Sequence, residues 1–277
     1  MDGLKINLHI TERCNYNCKY CFAHFDGKRD LPIQTWQKII DDIKSAGNVS
    51  AINFAGGEPV LYNNFPALVD YAKNCGFTVS LISNGSLLLN EKLAPLDMLK
   101  KLDIIGISAD SFDEKILINL GCCDSAFKVL SKEKLLNVID RVKSVNPTIK
   151  IKLNTVVSEL NKNEQLTEIE NKIKIDRWKF LKAKPFENKN FSNKNLIISD
   201  AEFENFVARN QRRKGKVVLE STTQRSYIIV DNVGNLLDNF GDNYEIVGNV
   251  LEESFSEVFS RYKFNRQLYQ ERYNVAA

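Results

Sequence analysis

The sequence lacks a long hydrophobic run, a signal peptide and a strong charge of either sign. No apolar segment reaches the roughly 18–20 residues that a membrane-spanning helix needs. Charged and polar residues interrupt the first strand-like segment, where a signal peptide would have its apolar core. The net charge of +3 gives no reason to expect binding to nucleic acid or to a membrane surface. We therefore expect a globular protein without a nucleic-acid or membrane partner.

Cysteine is scarce, and its positions do not form a disulfide framework. Three of the six cysteines fall in one short loop, Cys75 is isolated, and Cys122 and Cys123 are adjacent. Secreted domains that depend on disulfides are instead dense in cysteine. This placement indicates a reducing compartment, and we expect the protein to be cytoplasmic.

The chain alternates between strand-like and helix-like segments. Six strands that alternate with helices are typical of a parallel α/β fold, whose ligands bind at the carboxyl ends of the strands. We predict a partial (βα)6 barrel over residues 1–183 and an α+β extension over residues 184–277 that packs on the barrel and closes its substrate site. The predicted helices span residues 31–46, 64–75, 90–101, 131–145, 164–173, 199–212 and 252–272. After the first strand, the predicted strands span residues 51–55, 77–82, 104–108, 149–157, 177–183, 217–219 and 227–230.

The strongest motif is a loop of three closely spaced cysteines. Cys14, Cys18 and Cys21 follow the first predicted strand, with three and then two residues between them. A loop with this spacing can wrap one face of an iron–sulfur cube, because the irons take thiolate ligands. Three thiolates leave one iron of a four-iron cluster open to a small molecule. Two alternatives stay open at this point: a zinc site that borrows His9 or His24, and a disulfide with one thiol left over.

A glycine-rich turn follows the second predicted strand. Its sequence is Gly56-Gly57-Glu58-Pro59. Glycine allows a backbone to approach a ligand closely, and a carboxylate can receive an ammonium group. Alone, such a turn more often precedes a helix, but after a three-cysteine loop it indicates a ligand site.

Small polar residues end the third and fourth predicted strands. Ser83 and Asn84 end the third strand, and Ser108 and Asp110 end the fourth. At the ligand face of a parallel sheet, their hydroxyl, amide and carboxylate groups can bind a polar ligand. The alternative for each of them is helix capping.

Cations gather on the fifth and sixth predicted strands. Lys152 and Asn154 lie two residues apart, as do Arg177 and Lys179, so each pair shares one face of its strand. Their neighbours form the opposite, apolar face: Ile151, Leu153, Trp178 and Phe180. Three cations in a confined interior are costly unless an anion meets them, and a polyphosphate would do so. We predict an anion pocket; the alternative is a solvated rim with carboxylate partners.

In their order along the chain, these motifs resemble the viperin family of the radical S-adenosylmethionine (SAM) superfamily. The resemblance covers nearly the whole chain, but the sequence lacks the N-terminal amphipathic helix of the animal members. We therefore expect a prokaryotic-type viperin. The matching segments are residues 52–59, 83–86, 107–114, 152–154, 177–179, 198–204 and 226–231.

The resemblance implies a [4Fe–4S] cluster and SAM as cofactors and a nucleoside triphosphate as substrate. The cluster would reduce SAM to methionine and a 5′-deoxyadenosyl radical, the reactive species in place of a catalytic side chain. This radical would take the 4′ hydrogen of CTP, UTP or GTP. Loss of the 3′ hydroxyl as water, with one more electron and a proton, would then give the 3′-deoxy-3′,4′-didehydro analogue, a chain terminator in antiviral defence. A reductase, flavodoxin or ferredoxin would supply electrons.

The resemblance also assigns residues of this sequence to each ligand. The cluster would be held by Cys14, Cys18 and Cys21. SAM would be bound by Phe22, Gly56, Gly57, Glu58, Pro59, Ser83, Asn84, Ser108 and Asp110. The nucleotide would be bound by Asn7, His9, Lys152, Asn154, Arg177 and Lys179.

Four positions depart from the pattern of the family. Ala51 stands where these proteins often carry a triphosphate-binding lysine, and Ala55 replaces a serine. Cys122 stands where an arginine commonly binds the SAM carboxylate, and Val233 where an aromatic residue is expected near the base. These departures bear on the base preference and on the contacts to both ligands.

Two other classes of function remain open. A radical SAM enzyme could act on a different small molecule or on a peptide; such enzymes often carry further cysteines for auxiliary clusters, and no cysteine follows Cys123. A non-catalytic nucleotide-binding or zinc-binding module is the other class. Iron and sulfide analysis would separate it from both enzymes.

Overall fold

Six parallel strands form the centre of the protein. The computed structural model describes residues 3–21, 23, 30–185, 187–188, 191–210, 217–220, 224–240 and 244–274. The six strands are β1 (Leu4–His9), β2 (Val49–Ala55), β3 (Thr78–Ser83), β4 (Ile104–Ser108), β5 (Lys150–Val157) and β6 (Arg177–Lys182). Each pairs in parallel with the next, as the sequence predicts.

Helices connect the strands and cover the outer face of the sheet. In the described part of the chain between β1 and β5, they are α1 (Ile33–Ser45), α2 (Phe65–Asn74), α3 (Leu96–Lys101), α4 (Glu114–Asn119) and α5 (Lys132–Val145). α1 packs on α2, α2 on α3, and α3 on α5. Local sequence sets their ends: Ser131 caps the start of α5 by accepting a hydrogen bond from the backbone N–H of Lys134. The sequence did not predict α4.

The predicted helix over residues 164–173 is wrong. This segment contains a short 3₁₀ helix, Thr167–Asn171, between β5 and β6. Asn210 accepts a hydrogen bond from the backbone N–H of Leu166 and donates one to the backbone carbonyl of Glu164. These backbone groups are therefore bonded to a distant side chain instead of to a helical ladder.

Two other predicted helices are shorter than expected. The segment 90–101 is helical only in α3. The guanidinium of Arg141 donates hydrogen bonds to the backbone carbonyls of Leu88 and Ala94, and Pro95 directly precedes the helix. The segment 252–272 is divided into α7 (Phe255–Arg261) and α8 (Arg266–Asn274). Between them, the backbone N–H of Asn265 bonds to the carbonyl of Arg225 at 2.6 Å.

The chain after β6 extends the same sheet at both edges. Its elements are β7 (Glu187–Asn188), β8 (Phe191–Ser192), α6 (Asp200–Asn210), β9 (Val217–Glu220), β10 (Ile228–Val230), β11 (Asn235–Asp238) and β12 (Glu245–Asn249). β9 pairs in parallel with β6, β10 pairs in parallel with β1, and β11 and β12 continue antiparallel beyond β10. Both predicted strands of this part exist, and the sequence missed β7, β8, β11 and β12. The division into a barrel and an extension stays a prediction.

The core lies between the outer face of the sheet and the helices. On β6, Trp178 and Phe180 are buried, and Phe180 also meets Phe206 of α6 edge to face at 5.1 Å between ring centroids. The indole N–H of Trp178 donates to the buried hydroxyl of Thr155 at 2.9 Å. This packing directs the alternate residues of β5 and β6 away from the helices, as the sequence predicts.

No helix within the described ranges combines the length and the apolar character that crossing a bilayer requires.

Candidate active site

The inner face of the sheet encloses a cavity of about 1010 Å³, and all six central strands contribute to its wall. Glu58 and Pro59 lie outside the wall, and Phe22 and His24 lie outside the described residues. The structure brings the other predicted site residues together on this wall: Asn7, His9, Cys14, Cys18, Cys21, Gly56, Gly57, Ser83, Asn84, Ser108, Asp110, Lys152, Asn154, Arg177 and Lys179.

The cysteine loop begins at the carboxyl end of β1. Cys14, Cys18 and Cys21 are each partly buried. The backbone N–H of Cys21 bonds to the carbonyl of Cys18 at 3.0 Å, and that of Tyr16 bonds to the thiol sulfur of Cys14 at 3.4 Å. All six cysteines of the chain are free, which contradicts the disulfide alternative.

The chemistry of these donors fits an iron–sulfur cluster. Burial raises the pKa of Cys14 to about 11 and that of Cys21 to about 12, so a bound cation is needed to hold them as thiolates. Within the described parts of the chain, no three His, Cys, Asp or Glu side chains could hold one metal ion. A cluster places its thiolates on different irons, further apart than the ligands of one ion. The three thiols on this wall are compatible with the predicted cluster, and the zinc alternative that uses His24 lies outside the described residues.

The glycine turn is bonded directly to the cysteine loop. The backbone N–H of Gly57 donates to the carbonyl of Thr11 at 2.7 Å, and that of Glu58 donates to the carbonyl of Arg13 at 2.8 Å. A Cβ atom on Gly57 would collide with the carbonyl oxygen of Arg13. Close backbone approach therefore requires glycine here, and Pro59 begins a 3₁₀ helix immediately after the turn.

Glu58 is completely buried behind the cavity wall. Its carboxylate accepts hydrogen bonds from the Ser83 hydroxyl at 2.9 Å and from the backbone N–H of Asn84 at 2.8 Å. Burial raises the pKa of Glu58 to about 7, and these two hydrogen bonds oppose the rise. A cationic ligand group nearby would favour the ionised form.

Asn84 connects the end of β3 to the cysteine loop. Its amide nitrogen donates to the side-chain oxygen of Asn15 at 3.0 Å and approaches the Cys14 sulfur at 3.8 Å. Its amide oxygen accepts from the backbone N–H of Ser86 at 2.9 Å, a local turn like that of a capping residue. Asn84 thus forms a local capping-type turn, as the alternative predicted, and it also holds the cysteine loop through Asn15, next to Cys14.

Asp110 is buried and already bonded to protein groups. It accepts from the Tyr20 hydroxyl at 2.6 Å and from the backbone N–H of Val156 at 2.7 Å. Burial raises the pKa of Asp110 to about 6. The Tyr20 oxygen also lies 3.2 Å from the sulfur of Cys122, and a hydrogen bond with Cys122 raises the pKa of Cys18. Asp110 and Cys122 therefore belong to the surroundings of the cysteine loop.

A buried polar layer crosses the middle of β1, β2 and β3. The amide of Asn53 donates to the side-chain oxygen of Asn7 at 2.9 Å, and the Ser80 hydroxyl donates to that of Asn53 at 2.7 Å. His9 lies next on the inner face of β1, and burial lowers its pKa to about 4, so its ring is neutral. Sequence reasoning missed Asn53 and Ser80, although each occupies an inward position of its strand.

Cations gather near the amino ends of the strands. Lys152 of β5 lies opposite Arg177 of β6, and Asn154 lies opposite Lys179. All four line the cavity. Lys179 is 3% exposed, and its ammonium donates to the hydroxyl of Tyr227 at 2.5 Å. The burial of Lys179 favours the predicted pocket over a solvated rim.

Tyr227 and Lys5 also line the cavity, and the sequence analysis assigned neither of them to the site. Tyr227 precedes β10, and Lys5 is the second residue of β1. Lys5 could have been found, because it alternates with Asn7 and His9. Of the four departures, Ala51, Ala55 and Cys122 line the cavity. Val233 lies in the turn after β10 and is not part of the wall.

Comparison with known proteins identifies the family of this chain. The model of the radical SAM superfamily matches residues 8–171. The chain belongs to this superfamily. An S-adenosylmethionine-dependent nucleotide dehydratase of Selenomonas ruminantium is 51% identical over 269 residues, which are 97% of this chain and 98% of that protein. A protein of the same name from Psychrobacter lutiphocae is 32% identical over 293 residues, 99% of this chain and 96% of that protein.

A solved radical SAM structure supports the fold. The crystal structure of Streptococcus suis SuiB bound to S-adenosylmethionine matches with a TM-score of 0.67 and 16% identity, covering 97% of this chain and 67% of that chain. At this identity the likeness concerns the fold alone. The predicted family and the radical SAM type of α/β fold are confirmed. The superfamily uses a [4Fe–4S] cluster and SAM, as predicted; the residue assignments stay predictions.

Proposed function

We propose that this radical SAM protein converts a ribonucleoside triphosphate to its 3′-deoxy-3′,4′-didehydro analogue. The observation that supports this proposal is one cavity that combines three thiols with a cluster of cations. The thiols follow the carboxyl end of β1, whereas Lys152 and Arg177 lie near the amino ends of β5 and β6. A nucleotide could thus direct its ribose toward the thiols and its phosphates toward the cations.

The cluster and SAM would be held at the carboxyl ends of the strands. Cys14, Cys18 and Cys21 would bind the cluster, and the glycine turn with Glu58 would bind the amino group of SAM. When bound, the two cofactors supply the radical chemistry that breaks a C–H bond. A flavodoxin-type, ferredoxin-type or reductase partner would provide the electrons.

The chain's own residues would bind and orient the nucleotide. Lys152, Arg177 and Lys179 would bind the triphosphate, with the guanidinium meeting phosphate oxygens in a forked geometry. Asn7 and Asn53 lie between the two ends and could meet ribose hydroxyls. Such positioning fixes which ribose hydrogen is exposed to the reaction. The product would have lost one water and, as a chain terminator, would serve antiviral defence.

The test is anaerobic turnover of the reconstituted protein with SAM, dithionite and each of the four ribonucleoside triphosphates separately. We expect 5′-deoxyadenosine together with a product that is lighter than one nucleotide by the mass of water. Cys18→Ala should lose the cluster absorbance and both products. Cys75→Ala, which removes the isolated cysteine on α2's carboxyl side, is the matched control and should retain them. Formation of 5′-deoxyadenosine that no nucleotide alters would contradict the proposed substrate.

A further inference from the structure

Lys5 is a cavity residue to which the resemblance assigns no role. It is the second residue of β1 and shares the inner face of this strand with Asn7 and His9. Its direct neighbour on β2 is Ala51, whose small side chain leaves the adjacent wall without a charge. The hydroxyl of Tyr269 on α8 accepts a hydrogen bond from the backbone N–H of Lys5 at 2.7 Å, which fixes the strand at this point.

Lys5 shares the amino-terminal end of the cavity with several other charged groups. β5 contributes Lys150 and Lys152, β6 contributes Arg177, and α8 contributes Arg266. The one carboxylate of the described wall at this end, Asp176, accepts the backbone N–H of Ile151 at 2.8 Å. Burial, and then the charges of Arg177 and Lys150, lower the pKa of Lys5 to about 8.

We propose that Lys5 binds the terminal phosphate of the substrate and makes the site selective for triphosphates over monophosphates. This inference rests on the proposed function. With the ribose toward the thiols, the outermost phosphate lies at the amino ends of the strands, where Lys5 stands. The neighbouring cations repel the Lys5 ammonium group in the free protein. A bound polyanion would attract all of these cations and outweigh that repulsion. Lys5 thus supplies a cation beside the position that Ala51 leaves neutral.

Equilibrium binding to the cluster-loaded, SAM-bound protein tests this role without relying on turnover. Isothermal titration would compare each of the four nucleoside triphosphates with its monophosphate. Lys5→Met should weaken binding of the preferred triphosphate on the order of tenfold, the range of one charge-assisted hydrogen bond, and leave the monophosphate within about twofold. Lys38→Met, which removes an exposed lysine of α1, should change neither.

The pH dependence separates a charge effect from a packing effect. Above pH 8 the free protein loses the Lys5 proton, so triphosphate binding must take up a proton and should weaken about fourfold between pH 8 and 9.5, since half of the protons are already lost at pH 8. Lys5→Arg keeps its charge throughout this range and should bind with a flatter pH profile. Titrations in two buffers of different ionisation enthalpy would measure the proton uptake directly.

The outcomes distinguish this inference from the proposed function. If the unmodified protein binds no triphosphate, both fail. If it binds triphosphate and Lys5→Met binds it equally well, only the role of Lys5 fails. Should Lys5→Met not fold, Lys5→Arg decides: an unchanged pH profile and unchanged proton uptake would refute the inference.

Discussion

Replacement of Glu58 by glutamine should remove the loss of folding stability that the buried Glu58 carboxyl group causes as the pH rises. The carboxylate is completely buried and accepts hydrogen bonds from the Ser83 hydroxyl and from the backbone N–H groups of Asn84 and Val60. Its pKa rises from a usual value near 4.5 to about 7, chiefly because burial disfavours the charged form. Glutamine has nearly the same shape and never carries this charge.

The size of the effect follows from the difference between the folded and unfolded pKa of Glu58. A carboxyl group whose pKa is raised by folding contributes stability that is complete below the unfolded pKa and is lost as the pH rises through the folded pKa. Here the loss runs from about pH 4.5 to pH 7, and its full size is about 3 kcal/mol. Between pH 5 and pH 8, the expected change is about 2.5 kcal/mol.

Urea unfolding of the reduced, cluster-free protein at several pH values measures this change. The glutamine amide makes a different hydrogen bond with the Asn84 N–H than the carboxylate does. This difference changes the free energy of unfolding by an amount that does not vary with pH. The stability of the native protein minus that of Glu58→Gln should therefore fall by about 2.5 kcal/mol from pH 5 to pH 8. Glu204→Gln, at an exposed site on α6, serves as control. A flat difference curve would refute the reasoning.

Two further substitutions test the backbone contacts of the site and the packing of the barrel. Gly57→Ala should lower the iron content after reconstitution, because its Cβ would collide with the Arg13 carbonyl in the cysteine loop. Gly76→Ala is the control: its φ of +88° strains the backbone, but its Cβ would meet no atom within 4 Å, so it should retain the cluster. Trp178→Phe should lower the free energy of unfolding by about 1–3 kcal/mol, because it leaves the buried Thr155 hydroxyl without the indole donor; a urea midpoint equal to that of the native protein would contradict this account.

The sequence predicts those parts of the site that depend on strand alternation. Because side chains alternate along a strand, placing Trp178 in the core was enough to place Arg177 and Lys179 in the cavity. The same rule, applied to β1, would have found Lys5. The cysteine spacing and the glycine turn are equally local features, and the structure brings both to the carboxyl ends of the strands.

The parts that could not be predicted depend on contacts between distant residues. The helix expected over residues 164–173 does not form, because the Asn210 side chain on α6 makes hydrogen bonds with two backbone groups of this segment. The surroundings of Cys18 depend on Cys122, which is separated from it by more than a hundred residues and approaches it only through the fold. No pattern within one segment contains this information.

Backbone contacts also explain why the cysteine loop needs partners far away in the sequence. The loop contains no regular structure of its own. It is held on one side by the N–H of Gly57, and on the other the N–H groups of Asn17 and Lys19 bond to the carbonyls of Gly121 and Leu120 at 3.1 and 2.9 Å. A Cβ on Gly121 would collide with the carbonyl of Asn17, just as one on Gly57 would collide with the loop. Both glycines are thus required for the loop to hold its three thiols on the cavity wall, and they belong to the motif as much as the cysteines do.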